Sequence, residues 1–270
     1  MPWGGSAGRS APLAPGRFAG RLGVGVLSRR GGCEGMAEQA PRAPSNLNEY
    51  ARTCLEALQR LGVSRYLSIG GAVGLAHYSE FRKTKDVDCW WTEAVGEDDQ
   101  QAVIERLESE LSHLGRVRTR RFGDVVSVDL FVDNQQVFNF QIAKRSARLS
   151  PLLDSPWPPI HLDSLEDLVA SKMTALIDRG APRDFVDIHH CCVLGLCTVE
   201  ACWALWRRRQ QAREIPADVR EACEAVLVHL ARIEKQRPLN TLSDAADRER
   251  ARQVRQWYKR EFCRDRLGLD

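Results

Sequence analysis

No run in this 270-residue chain is apolar over the length that a membrane-spanning helix needs, and no secretory hydrophobic segment is present. Those absences argue against an embedded or exported protein. Nor is there a Cys-x-x-Cys pair among the nine cysteines, an odd number scattered mostly through helix-like segments. A disulfide scaffold is therefore not expected, and reduced thiols in a cytoplasmic protein are. No segment repeats at a fixed period, which excludes a solenoid. Charge of either sign is not in strong excess: the net value is +3 and the pI about 8.4, which permits a polyanionic partner without demanding one. Acids are nearly missing from the first 35 residues, where Glu34 stands alone among Gly, Pro, Ala and Arg. Such a composition suits a transit peptide, but a disordered extension over 1–35, or a false start ahead of Met36, is the simpler reading. Arg29-Arg30 lacks the hydrophobic stretch that a twin-arginine signal would carry.

What remains is ordinary for a globular protein: 43% hydrophobic and 28% charged residues, enough chain for two lobes with real cores. Apolar spacing predicts a helix over 46–61, a short buried strand over 65–69, and a helix from Gly70-Gly71 to about Tyr78. An alternating strand follows over 86–91, then a helix over 96–114 with an acidic start. Strands over 116–122, 125–132 and 136–142 are separated by Gly123-Asp124 and Asp133-Asn134. This is an α+β pattern, a mixed sheet flanked by helices in a first domain over 36–154. Ser155-Pro156-Trp157-Pro158-Pro159 reads as a stiff linker. A helical domain follows over 160–270, with a capping box at Asp163 to Glu166, Pro182 opening its own helix, and further helices over 199–213, 217–233 and 243–267.

Chemistry concentrates near the sheet. Asp86 and Asp88 alternate along a strand, so they share one face while Val87 and Cys89 take the other. Two close carboxylates repel unless a cation lies between them, and Mg²⁺ takes oxygen ligands while leaving room for phosphates. Asp129 interrupts the apolar run Val125 to Val132 and needs a metal or a strong donor there. Asp124 and Asp133 are explained as turn residues. Gly70-Gly71 allows close backbone approach at the start of a helix, where N–H groups bind phosphate. In the helical half, Lys172 and Arg179 are seven apart and Arg183 four further, one basic face interrupted by Pro182. Such a face can hold a triphosphate, and Asp184 and Asp187 lie one turn apart beside it. An intrahelical Arg183–Asp187 pair on a solvated surface is the plainer alternative.

Gly70-Gly71, fourteen residues, then Asp86-x-Asp88 resembles the signature of the DNA polymerase β-like nucleotidyltransferase superfamily. The link Arg82-Lys-Thr84-Lys-Asp86-Val-Asp88 is similar to that of AbiEii-like toxin nucleotidyltransferases. A second match to that family runs from Leu165 through Lys172, Ala175, Arg179 and Arg183-Asp184 to Asp187. The resemblance implies a nucleotidyltransferase-type fold and transfer of a nucleoside monophosphate from an NTP to an acceptor hydroxyl. It implies Mg²⁺ (or Mn²⁺) held by Asp86, Asp88 and Asp129. Nucleotide binding falls to Gly70, Gly71, Thr84, Lys172, Arg179 and Arg183, and Asp184 or Asp187 is the expected base. It also implies a toxin acting on tRNA or protein, with a cognate antitoxin. A small-molecule nucleotidyltransferase, or a non-catalytic relative serving as a binding partner, are the alternatives.

For an RNA partner the basic residues to examine are Arg116, Arg118 and Arg120 on one strand face, Lys144, Arg145 and Arg148, Arg207 to Arg209, and the arginines of the C-terminal helix. Interleaved acids make that last helix a solvated face instead. Trp90, Trp91, Trp203, Trp206 and Trp257 are expected in the core. His189 to Cys192 with Cys197 could suggest zinc, but adjacent ligands on a helix point about 100° apart, which disfavours it.

Overall fold

The computed structural model of the chain describes residues 34–264. The expected N-terminal extension thus falls outside the described residues except for Glu34 and Gly35. Gly35 is not idle: its carbonyl accepts the N–H of Thr198, and Met36 forms a β-bridge with Cys197.

The elements run α1 (Glu49–Leu58), β1 (Leu67–Ile69), α2 (Gly71–Ala76), β2 (Asp86–Trp91), α3 (Glu97–Ser112), β3 (Arg116–Phe122), β4 (Val125–Val132), β5 (Gln135–Lys144), β6 (Leu153–Asp154), β7 (His161–Leu162), α4 (Leu165–Asp178), α5 (Pro182–Val193), α6 (Val199–Ala212), α7 (Val219–Gln236) and α8 (Ala245–Trp257). The strands form one seven-stranded mixed sheet in the order β3-β4-β5-β2-β1-β7-β6. β2 runs parallel to β5 and β1 parallel to β7, the remaining neighbours being antiparallel. This is the expected α+β arrangement.

Caps explain several helix starts. Asn48 accepts the N–H of Tyr50 ahead of α1, and Thr198 that of Ala201 ahead of α6. The capping box lies one residue later than expected: Ser164, not Asp163, caps α4 and bonds Asp167. The strand expected over 65–69 is shorter, because Gly62–Tyr66 winds as a 3₁₀ turn. The proline-rich segment is not a free linker either. It carries the chain between β6 and β7, which extend the sheet beyond β1, with Trp157 and Ile160 buried in the core behind it. Propensity could not show this, since two-residue strands carry almost no pattern.

Two cores result. α1 and α3 cover one sheet face, where Val87, Cys89 and Trp91 of β2 meet Leu55, Leu58, Val103 and Leu107. The second core joins α4 to α8 and draws in Leu75 and Tyr78 from the α2 segment. Trp91, Trp203, Trp206 and Trp257 are buried as expected. α2 packs against both β2 and α4, so it hinges the two halves together over the uncovered side of β2. Among the described residues no helix is long and apolar enough to cross a membrane.

Candidate active site

Strand alternation puts Asp86 and Asp88 on the side of β2 away from α1 and α3. Asn139 and Gln141 of β5 stand opposite them in register, and Gly70 N–H ties the start of α2 to the Asp88 carbonyl at 2.8 Å. Gly71 has φ +57°, and a Cβ there would lie 2.0 Å from Asp88 Oδ2. At Gly70 a Cβ would lie 2.3 Å from Trp90 Nε1. Only glycine fits either place, which is the physical content of the pair. Thr84 shapes the approach to β2, its hydroxyl accepting the Asp86 N–H and donating to the Asp86 carbonyl, both at 3.2 Å.

Between this edge and α4 lies a cavity of about 170 Å³. Its walls include Gly71, Thr84, Asp86, Asp88, Trp90, Gln141, Ser171, Lys172, Arg82, Arg179 and Arg183. Four cations and two carboxylates line it, and the donors that the cations turn to the cavity suit a polyphosphate, although two further carboxylates behind the wall balance their charge.

The cations are held from behind. Asp187, fully buried, receives Arg82 Nε at 2.6 Å and Nη2 at 2.9 Å, and Lys172 Nζ at 2.7 Å. Asp184, also fully buried, takes Arg179 through Nε at 2.9 Å and Nη2 at 3.1 Å, with Lys172 Nζ 3.9 Å away. Burial by itself would lift the Asp187 pKa, but Lys172 and Arg82 outweigh it and hold the carboxyl below its usual range. Arg82 is held above its ordinary value, the hydrogen bond and charge of Asp187 overcoming the opposing effect of burial. The surface Arg183–Asp187 pair is therefore replaced by a buried Arg82–Asp187–Lys172 cluster. Arg183 instead reaches across to Asp86 Oδ2 at 3.1 Å.

Asp86 is pushed up from the ordinary carboxylate range, first by burial and then by the Asp88 charge, with Arg183 acting against both. Two oxygen donors whose repulsion a cation would relieve, in a cradle that a Cβ would fill, fit a divalent metal.

Asp129 is brought to the same sheet face but not to the cavity. Asn139 stands in register between it and Asp86, two strands away. Its buried carboxylate is met by Arg120 Nε at 2.9 Å, Asn139 Nδ2 at 2.7 Å, Gln136 Nε2 at 3.0 Å and Ser127 Oγ at 3.2 Å. The strong donor that the sequence demanded is thus supplied by neighbouring strands. Asp184 and Asp187 likewise stand behind the cavity wall, each committed to cations.

Gln141 and Ser171 line the cavity without having been singled out, and Trp90, expected in the core, is only part-buried and lines the cavity instead. Trp90 and Gln141 had a readable signal, since each lies two residues beyond an inward-facing polar position on its strand. Among the basic sites, Arg145 is buried against Asp163 and Ser68, and Arg209 against Ser146 and the Ala147 carbonyl, so both hold the fold. The C-terminal helix pairs internally through Arg250–Asp247 and Arg252–Glu249. Arg118 and Arg120 remain about half exposed on β3, and Arg116 and Arg118 lie over the Phe131 ring.

No curated protein matches the chain. The family model described as nucleotidyl transferase AbiEii toxin, type IV toxin–antitoxin system, matches residues 54–264, which takes in both lobes and every residue of this cavity. The chain belongs to the AbiEii nucleotidyl transferase toxin family.

Proposed function

We propose that this cavity binds an NTP with Mg²⁺ (or Mn²⁺) and passes its nucleoside monophosphate to a hydroxyl of tRNA, releasing pyrophosphate. The observation that carries the reading is the opposition of Asp86 and Asp88 to Arg82, Lys172, Arg179 and Arg183 across one small cavity. Asp86 and Asp88 would hold the divalent cation, which supplies neutralising charge for the triphosphate when bound. Asp129 we assign to holding Arg118 and Arg120 rather than the metal.

The chain's own contribution is mostly placement, as suits phosphoryl chemistry, which needs in-line geometry and charge neutralisation more than covalent help. Lys172 and Arg179 enter the cavity already oriented by Asp187 and Asp184, so little side-chain freedom is lost when phosphate arrives. Arg183 is about half exposed and exchanges Asp86 for a phosphate oxygen. α2 is short, so the backbone N–H groups of Gly71 and Ala72 at its start, rather than a helix dipole, would contact the phosphates, the Gly70 N–H being taken by the Asp88 carbonyl. The proton of the incoming hydroxyl passes to a carboxylate open to the cavity. Asp86 suits that role better than Asp184 or Asp187, whose oxygens are taken.

The exposed arginines of β3 favour a polyanionic acceptor, and the toxin–antitoxin family favours a cognate antitoxin as protein partner. The test incubates the purified chain with each α-labelled NTP, total RNA and cell extract. Label in tRNA that vanishes in Asp86→Ala supports the proposal. Label in a protein band keeps the reaction and replaces the acceptor, and label in neither, with nucleotide still bound, refutes transfer to a macromolecule.

A further inference from the structure

Outside the lining of the cavity, three thiols meet at the turn between α5 and α6. Cys192 ends α5, Cys197 lies in the connection and Cys202 closes the first turn of α6. Their sulfurs are mutually close: Cys192–Cys197 3.9 Å, Cys192–Cys202 3.7 Å and Cys197–Cys202 3.4 Å. Of the residues considered for zinc from the sequence, Cys192 and Cys197 converge and the histidines do not. His189 lies edge-on to Trp257, and His190 stacks on Phe81 and bonds Ser79. Cys202 supplies the third sulfur.

We propose that Cys192, Cys197 and Cys202 form a structural site for one thiophilic metal ion, zinc by preference. The geometry is quantitative. A point at the usual zinc–sulfur distance of about 2.3 Å from all three sulfurs lies about 0.9 Å out of their plane, against about 0.8 Å for a regular tetrahedron. An ion could therefore enter with almost no movement of the sulfurs. Cys197 and Cys202 are buried and Cys192 is part-buried, so the trio comes nearest to solvent at the Cys192 corner. Binding would release the thiol protons to solvent and leave three thiolates on a dication.

The local fold looks built to hold this triangle. Gly195, at φ +69°, reverses the chain, and the N–H groups of Leu196 and Cys197 both return to the Cys191 carbonyl. Met36 bridges Cys197 from the other side. An ion here would clip the end of α5 to the start of α6, and α5 is the helix whose Asp184 and Asp187 orient the cations of the cavity.

The full chain, reduced and stripped of metal, is titrated with Zn²⁺ alone and with Co²⁺ alone. About one equivalent of zinc should survive dialysis and raise the melting temperature, and the cobalt form should show thiolate charge-transfer absorption with tetrahedral d–d bands. Cys192→Ser, at the part-buried corner, should keep the fold yet lose about one third of that charge-transfer intensity, one thiolate of three. Asp86→Asn with Asp88→Asn should leave the band intact, which separates this site from the carboxylates. A reduced chain that gives no cobalt–thiolate band would overturn the proposal. So would a native protein whose mass spectrum shows a disulfide within the trio.

Discussion

Replacing Asp187 by Asn keeps the side chain's shape and removes the charge on which two cations depend. The carboxylate is fully buried, and both of its oxygens are engaged by Lys172 and Arg82. Breaking a buried ion pair from one side costs about 3–5 kcal/mol, because the partner charge is left uncompensated. Two features offset part of that. Arg82 keeps 24% of its side chain exposed and can swing toward water, and Asp184 Oδ1 lies 3.9 Å from Lys172 Nζ. The expected loss is therefore near the lower end, about 3 kcal/mol, or roughly 6–12 °C in Tm for a chain of this size. Urea unfolding at neutral pH, followed by circular dichroism and tryptophan fluorescence, measures it. Adding Lys172→Met removes the stranded cation, so the double variant should be more stable than the two separate losses predict, by at least about 1 kcal/mol. On the proposed assignment, in which Asp187 positions cations and takes no substrate proton, residual activity in Asp187→Asn should keep the acidic limb of its pH profile. A variant within about 1 kcal/mol of the parent would refute the reasoning, since Lys172 would then not be a charge that Asp187 compensates.

Gly71→Ala should abolish nucleotide binding by calorimetry and lower stability by about 1–3 kcal/mol, since a β-carbon would enter the Asp88 carboxylate from a left-handed backbone; unchanged binding would count against the cradle. In acid, Asp187 contributes stability that is complete above its unfolded value near 3.8 and is lost as pH falls through its lower folded value, so Asp187→Asn should flatten the acid arm of the stability curve. An arm of equal slope would show that Asp187 is not held low. Asp86 has the opposite sign: its raised pKa means that ionisation at neutral pH works against the fold, and a bound dication relieves that. Mg²⁺ should therefore raise the melting temperature of the parent more than that of Asp86→Asn, and equal shifts would remove Asp86 from the metal site.

The elements legible in the sequence are those with long periodicity. Helices α3 and α4 and strands β2 to β5 fall within a few residues of expectation because burial on one face imposes a pattern on many consecutive positions. The sheet edge was not legible. β6 and β7 hold two residues each, and the prolines between them read as a spacer because nothing local shows that Trp157 and Ile160 are buried. The same limit hid the fate of the arginines. Arg145 and Arg209 look like a nucleic-acid surface in the sequence, and only the fold shows their guanidinium groups buried.

The site divides along the same line. Strand alternation sufficed to pair Asp86 with Asp88, and helical spacing sufficed to align Lys172 with Arg179, since both rest on the geometry of one element. Who pairs with whom does not. Asp187 meets Arg82 from 105 residues away and Arg183 meets Asp86 from 97, distances over which no local rule operates. That non-local pairing decides what the acids of α5 do. A carboxylate with both oxygens committed to buried cations is a poor base, because taking a proton would strand the charges it holds. Asp184 and Asp187 therefore belong with the machinery that aims Arg82, Lys172 and Arg179. The acids free to exchange partners are Asp86 and Asp88, at the opening where Arg183 alone is tied to one of them.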